Sequence, residues 1–284
     1  MARRPRIALL AASAAALAAA ALWVLTFHTE AGRWLNAVTL DGFNLLLGWR
    51  PGQSGALADE LARLADPVPF AFCALVMIAI ALARGRVRVA LAVPAILLGA
   101  NATTQALKAW LPAVQIDERV AAGSYPSGHA TAAMSLALCL VLVVPGRLRL
   151  LAALAGSLYA VVVSFAILGV DWHLPSDVLG AFAVAAAWTA VGAAALLGAG
   201  RRWPERSGRE ALSRVGGRAS ASLSPAVILC ALIAASAIGL GVALARGPGL
   251  VDFAQQNTSF VTVAGLIGAL SLGLAMGLAA LLRR

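Results

Sequence analysis

Residues 125–144 begin with Tyr125-Pro126-Ser127-Gly128-His129 and continue as ATAAMSLALCLVLVV without a single charge. Pro and Ser are residues that start helices. The apolar run behind them is a helix suited to lipid or to the interior of a bundle. A dense polar cluster thus sits at the mouth of a membrane-type helix, and the whole chain repeats that design.

Across 284 residues, 61% are hydrophobic, 12% are charged, and the mean hydropathy is +0.88. A soluble domain carries about a quarter charged residues, so a water-soluble globule, a disordered chain and a disulfide scaffold are excluded. Long uncharged runs fall at about 7–27, 67–83, 89–107, 128–144, 150–170, 175–199, 223–245 and 259–282. The predicted fold is an all-α polytopic membrane bundle of about eight transmembrane helices.

The net charge of +10 does not mean nucleic acid, because the basic residues sit in short runs between apolar segments. With the amino terminus inside, 16 of the 22 Lys and Arg residues fall on the inner side and ten of the twelve acids on the outer. That asymmetry predicts both termini in the cytoplasm of a multi-pass chain in the cytoplasmic membrane. The first run is read as a retained anchor, its length exceeding a cleaved signal's apolar region.

Three further segments complete the organisation. The stretch 28–66 lies outside and is too polar to span. Trp34, Leu35, Val38, Leu45, Leu46 and Trp49 recur there at helical spacing, so it is either an amphipathic interfacial helix or a loop packing on the bundle. Residues 200–222 are a basic cytoplasmic linker. It divides a membrane core, residues 1–199, from a two-helix hairpin, residues 223–284, whose role is packing or a homo-oligomer surface. Cys73, Cys139 and Cys230 lie in apolar runs and form no disulfide or metal pattern.

The chemistry-bearing residues are few and converge. Of three histidines, His129 stands in the cluster already quoted and His173 in Asp171-Trp172-His173-Leu174-Pro175-Ser176-Asp177, at the start of the sixth run. Lys108, the only lysine, closes the third run. The topology puts all three on the outer face. A helix amino terminus attracts phosphate, Gly128 lets backbone approach it, and Lys108 adds positive charge. His173 and Asp177 are one helical turn apart, so the carboxylate can orient the imidazole as a nucleophile. His129 is then free to protonate a leaving oxygen. These parts describe phosphoryl transfer through a phosphohistidine, with no metal or other cofactor needed.

At these residues the chain resembles the type 2 phosphatidic acid phosphatase superfamily of membrane lipid phosphatases. That family's fingerprint is Lys, six residues, Arg-Pro; then Pro-Ser-Gly-His; then Ser-Arg, five residues, His, three residues, Asp. Lys108, Pro126-Ser127-Gly128-His129 and His173 with Asp177 match, followed by the typical Val178-Leu179-Gly180. The resemblance spans roughly residues 67–199 and implies a six-helix lipid-phosphatase core. It also implies His173 as nucleophile, Asp177 as its support, His129 as general acid, and Lys108, Ser127 and Gly128 as phosphate ligands.

Gln115-Ile116 replaces the first Arg-Pro, and Ala166-Ile167 replaces Ser-Arg. At about 1.5–3 kcal/mol per charge-assisted hydrogen bond, losing both arginines uncompensated slows the reaction roughly 10²- to 10⁴-fold. Arg119, just before the Pro-Ser-Gly-His cluster, is the expected replacement for one of them. Asn101, Thr104, Gln105 and Lys108 form one polar stripe, read either as interhelical glue or as the lining of a polar cavity.

The expected activity is hydrolysis of a phosphomonoester or pyrophosphate on a membrane lipid of phosphatidic acid or polyprenyl phosphate type, at the extracytoplasmic face. The second class is a non-hydrolytic lipid-phosphate binder, carrier or flippase on the same scaffold, marked by the missing arginines. An ion transporter is disfavoured, because the runs hold almost no charge away from their ends.

Overall fold

The computed structural model describes residues 3–46, 56–202 and 248–283. Among them are ten α-helices and no strand. They are α1 (Arg3–His28), α2 (Glu30–Leu46), α3 (Ala56–Ala62), α4 (Pro67–Ala83), α5 (Val87–Trp110), α6 (Gly128–Val143), α7 (Arg149–Gly169), α8 (Pro175–Arg202), α9 (Pro248–Gln256) and α10 (Thr258–Leu281). Seven of the eight apolar runs are these helices to within a few residues. The eighth, 223–245, and most of the 200–222 linker lie outside the described residues.

Five helices (α1, α5, α7, α8 and α10) are long and apolar enough to cross a membrane, and α4 joins them if it is counted with the helical segment before it, bent by 48°. The all-α polytopic bundle stands.

Helix α6 is the hub. It packs on α4, α5, α7, α8 and α10, and nearly all of its sixteen residues are buried. Close approach is possible because small residues face α7: a methyl added at Gly156 would lie 3.0 Å from Ala137 Cα. At 1.5 Å per residue α6 is about 24 Å long, shorter than the ~30 Å hydrocarbon layer. Its far end is held by Arg86, whose guanidinium donates to Leu142 O at 2.8 Å. A short helix tethered at that end leaves its Pro-Ser-Gly-His start recessed within the bundle.

Arginines collect at the end remote from that start. Arg84 donates to Val143 O, Arg4 donates to Arg283 O, and Arg149 donates to Leu282 O at 2.8 Å. The start of α1, the α4–α5 turn, the end of α6, the start of α7 and the end of α10 therefore share one side.

The outer stretch 28–66 combines both expectations. Helix α2 forms, and it packs on α1, α7, α8 and α10. Its Trp34, Leu35 and Leu45 are exposed, while Asn36, Thr39 and Asn44 are buried beside Leu40 and Phe43. Two of these inward side chains reach the residues around the start of α8: Ser176 N donates to Asn36 Oδ1 at 3.1 Å, and Asn44 Nδ2 donates to Asp171 Oδ1 at 3.0 Å, while Thr39 Oγ1 is buried with no partner. Trp49 lies outside the described residues.

Helix α10 sits in the core. Ile267, Ser271 and Ala275 are fully buried, and Phe260 meets Phe43 edge-on at 4.8 Å.

Candidate active site

The two polar clusters are knotted together by backbone. Ser127 caps α6, its Oγ accepting from Ala130 N at 3.3 Å, and its own N–H donates to Asp177 O at 3.0 Å. The starts of α6 and α8 are thereby fixed against each other. First-turn N–H groups have no helical acceptor; here Ala130 N is taken by Ser127 Oγ and Ser176 N by Asn36 Oδ1, so the donors suited to an anion are those of Gly128 and His129 at the α6 start. Ser127 itself is fully buried, its hydroxyl engaged in capping.

Asp177 is the organising anion. Wholly buried, it uses Oδ2 to accept from Ser124 Oγ at 2.5 Å and Leu174 N at 3.0 Å, and that oxygen lies 3.2 Å from His173 Nδ1. The i, i+4 contact expected from the sequence is present. With Nδ1 held as the donor, the lone pair of His173 is on Nε2. Burial pushes the His173 imidazole below its usual value of 6.5, outweighing the upward pull of the Asp177 carboxylate. Lys108 and His129 lie within electrostatic range and push the same way as burial. The ring is held neutral, as a nucleophile needs.

His129, half-buried, lies on the same side of the bundle. Its Nε2 is 3.1 Å from Asp66 Oδ1, and its ring sits 5.4 Å from that of Trp172, the neighbour of His173. Lys108, also half-buried, is within range of Asp177. The structure thus brings Lys108, Ser127, Gly128, His129, His173 and Asp177 to one end of the bundle, opposite the arginine-rich turns. A methyl added at Gly128 would meet only Gln105 Nε2, at 3.6 Å, so there is room above that backbone.

Arg119 is placed differently from expectation. Its Nε and one terminal nitrogen bind Asp117 at 2.9 and 2.6 Å, and that same terminal nitrogen binds Asp41 at 2.7 Å. The two carboxylates raise the guanidinium still further, and Arg119 in turn holds the Asp117 carboxyl below its ordinary range. Arg119 is a clamp between its loop and α2, and reaches phosphate only by exchanging a carboxylate. Gln115 is tied to its own loop, donating to Val120 O at 2.9 Å. Ala166 and Ile167 are buried in α7.

The polar stripe divides by residue. Thr104 is glue, its hydroxyl 2.9 Å from that of Thr131 on α6. Asn101 donates to Leu97 O of its own helix at 2.8 Å, and Gln105 faces the α6 start.

Two residues of the site were absent from the sequence reading. Ser124 immediately precedes the quoted cluster, and Asp66-Pro67 is a helix-start pair on the predicted outer side. Neither carried a sequence signal beyond its place next to a helix start. Tyr125 is a strut: its hydroxyl donates to Ala19 O at 2.6 Å, and its ring packs on Phe27. Gly180 is required beneath it, since a Cβ there would lie 2.3 Å from the phenolic oxygen. Burial, with the Asp177 charge adding, pushes the Tyr125 phenol up, so it stays protonated.

An all-helical bundle with several membrane-length apolar helices, carrying an imidazole–carboxylate pair beside a helix start, has the parts a membrane phosphatase needs. Residues 102–201 match the family model of the PAP2 superfamily, a likeness over about a third of the chain that is consistent with the motif resemblance. That match supports a phosphoric-ester hydrolase function at the coarse level. No curated protein and no solved structure matches the chain.

Proposed function

We propose that the protein is a metal-independent lipid phosphatase acting on a phosphomonoester or pyrophosphate at the extracytoplasmic face of the cytoplasmic membrane. The observation that carries this is the buried His173–Asp177 pair, 3.2 Å apart, at the start of α8. His173 Nε2 attacks phosphorus, the bond to the leaving oxygen breaks with its electron pair going to that oxygen, and His129 supplies the proton. Water then attacks the phosphohistidine while His129 takes a proton back. The P–N bond breaks and its pair returns to Nε2. Lys108 and the first-turn N–H groups around Gly128 hold the phosphoryl oxygens, with Ser127 fixing the turn that presents them. Arg119 joins them only if substrate displaces Asp41.

Support for a lipid substrate comes from apolar helices on every side of a site at one membrane end. The acyl or prenyl tail stays in the bilayer while the phosphate reaches α6 and α8. Both termini are assigned to the cytoplasm from the arginine-rich side that α1 and α10 share.

The test is phosphate release from phosphatidic acid and polyprenyl phosphates in detergent with chelator present. Release that persists in chelator, is blocked by vanadate and vanishes in His173→Ala is the expected result. Lipid binding without turnover on any substrate instead favours a carrier or flippase. That second reading rests on Gln115, Ala166 and Ile167 standing where arginines are expected.

A further inference from the structure

We infer that Asp66 is the positioning residue of the proton donor, holding His129 by Nε2 so that Nδ1 faces the leaving oxygen; this rests on the phosphatase reading above. Asp66 occupies the N-cap position of α4, where an aspartate ordinarily accepts from its own helix. Here the side chain makes no capping bond and is turned to His129 Nε2 instead, at 3.1 Å. Its backbone is fixed on both sides. Asp66 N donates to Arg63 O, and Asp66 O accepts from Phe70 N, each at 3.0 Å. A well-anchored carboxylate gives up its local role to grip a histidine 63 residues away.

The grip decides which nitrogen does chemistry. A ring bonded through Nε2–H to a carboxylate has Nδ1 as its free position. The Trp172 ring lies 5.4 Å from that of His129, tilted by 44°, and borders it on one side. In the transfer step the proton on Nδ1 moves to the leaving oxygen as the P–O bond breaks, while the Nε2–H stays with Asp66. In the second half, Nδ1 takes a proton from the attacking water and the starting state returns. His173 is held the other way round, by Nδ1, presenting Nε2. The two rings thus offer opposite nitrogens.

The test compares substrates that need a proton on the leaving group with one that does not. For the full-length chain in nanodiscs, Asp66→Ala is expected to lower kcat/KM on an alkyl phosphate lipid about tenfold to a hundredfold more than on p-nitrophenyl phosphate, since a general acid contributes about 10² to 10⁴. Asp66→Glu should recover part of that loss, and Asp66→Ala should add nothing in a His129→Ala background. Equal losses on both substrates, or additive losses in the double variant, overturn the inference. A separate readout is the ring N–H of His129 by ¹⁵N NMR: slow to exchange in the wild type, fast in Asp66→Ala. Its absence in the wild type also overturns the pairing. A chain that shows the protected N–H yet cleaves neither substrate overturns the phosphatase reading, and the proton-donor role with it.

Discussion

The two histidine–aspartate pairs make an instructive contrast. His173 and Asp177 lie on one turn, their side chains 9% and 0% exposed; His129 and Asp66 come from separate helices and are 28% and 38% exposed. The buried pair sits in low dielectric, where a misplaced charge is costly; three neighbours converge on Asp177 Oδ2, while its Oδ1 is buried with no partner. The open pair sits where solvent screens it and where its partner can be exchanged. A nucleophile must keep one orientation and a neutral ring. A proton donor must meet leaving groups that come and go. Burial suits the first task and exposure the second.

The largest expected effect is on the buried side. His173→Ala should abolish turnover, and Asp177→Asn should lower kcat by about 10² to 10⁴, as loss of an orienting carboxylate does in other histidine systems. Phosphate release under saturating lipid measures both. His129→Ala comes next, about 10²-fold or more on alkyl phosphates, and much less on p-nitrophenyl phosphate. If both histidine variants lose activity equally on both substrates, the division of labour between the pairs is wrong.

The pH profile sharpens the contrast without mutation. The reactive form of His173 is neutral, and burial lowers its folded value below 6.5. Activity should therefore hold as pH falls through 6.5 and decline only below it. For stability the sign is the same: the unfolded chain takes up the His173 proton first, so this histidine favours unfolding once pH drops below about 6.5. An acid limb of kcat/KM centred above 6.5 would contradict a buried, neutral nucleophile.

Smaller effects belong to the rim. Gly128→Ala should fold normally, because its methyl meets only Gln105 at 3.6 Å, yet raise KM several-fold by filling space above the α6 start. Arg119→Ala should cost little in kcat and loosen the 111–123 loop instead, read as faster proteolysis there. A loss in kcat near a hundredfold, about the value of one charge-assisted phosphate contact, would restore Arg119 as a phosphate ligand.

Much of this was legible in the sequence because the rules involved are local. Uncharged runs gave the helices, since lipid demands satisfied backbone and apolar side chains. The His173–Asp177 pair was legible because four residues make one turn. The inward-facing Asn36 and Asn44 of α2 were not, because their partners Ser176 and Asp171 lie more than a hundred residues away. Apolar periodicity found that helix without telling which face meets protein: in lipid, Trp34 and Leu45 gain nothing by turning inward. Asp66 was hidden for the same reason, being unremarkable until folding carries it to His129. Arg119 looked free only because the reach of Asp41 across to its loop is invisible in one dimension.

The most direct measurement is where the phosphate goes. Wild-type chain mixed with a labelled lipid phosphate, quenched within one turnover at alkaline pH to preserve phosphohistidine, and mapped by mass spectrometry should carry the label on His173. His129→Ala should accumulate more of it if hydrolysis of the intermediate slows more than its formation. Label on any other residue, or turnover with none trapped in either protein, would contradict the buried pair as the seat of the reaction.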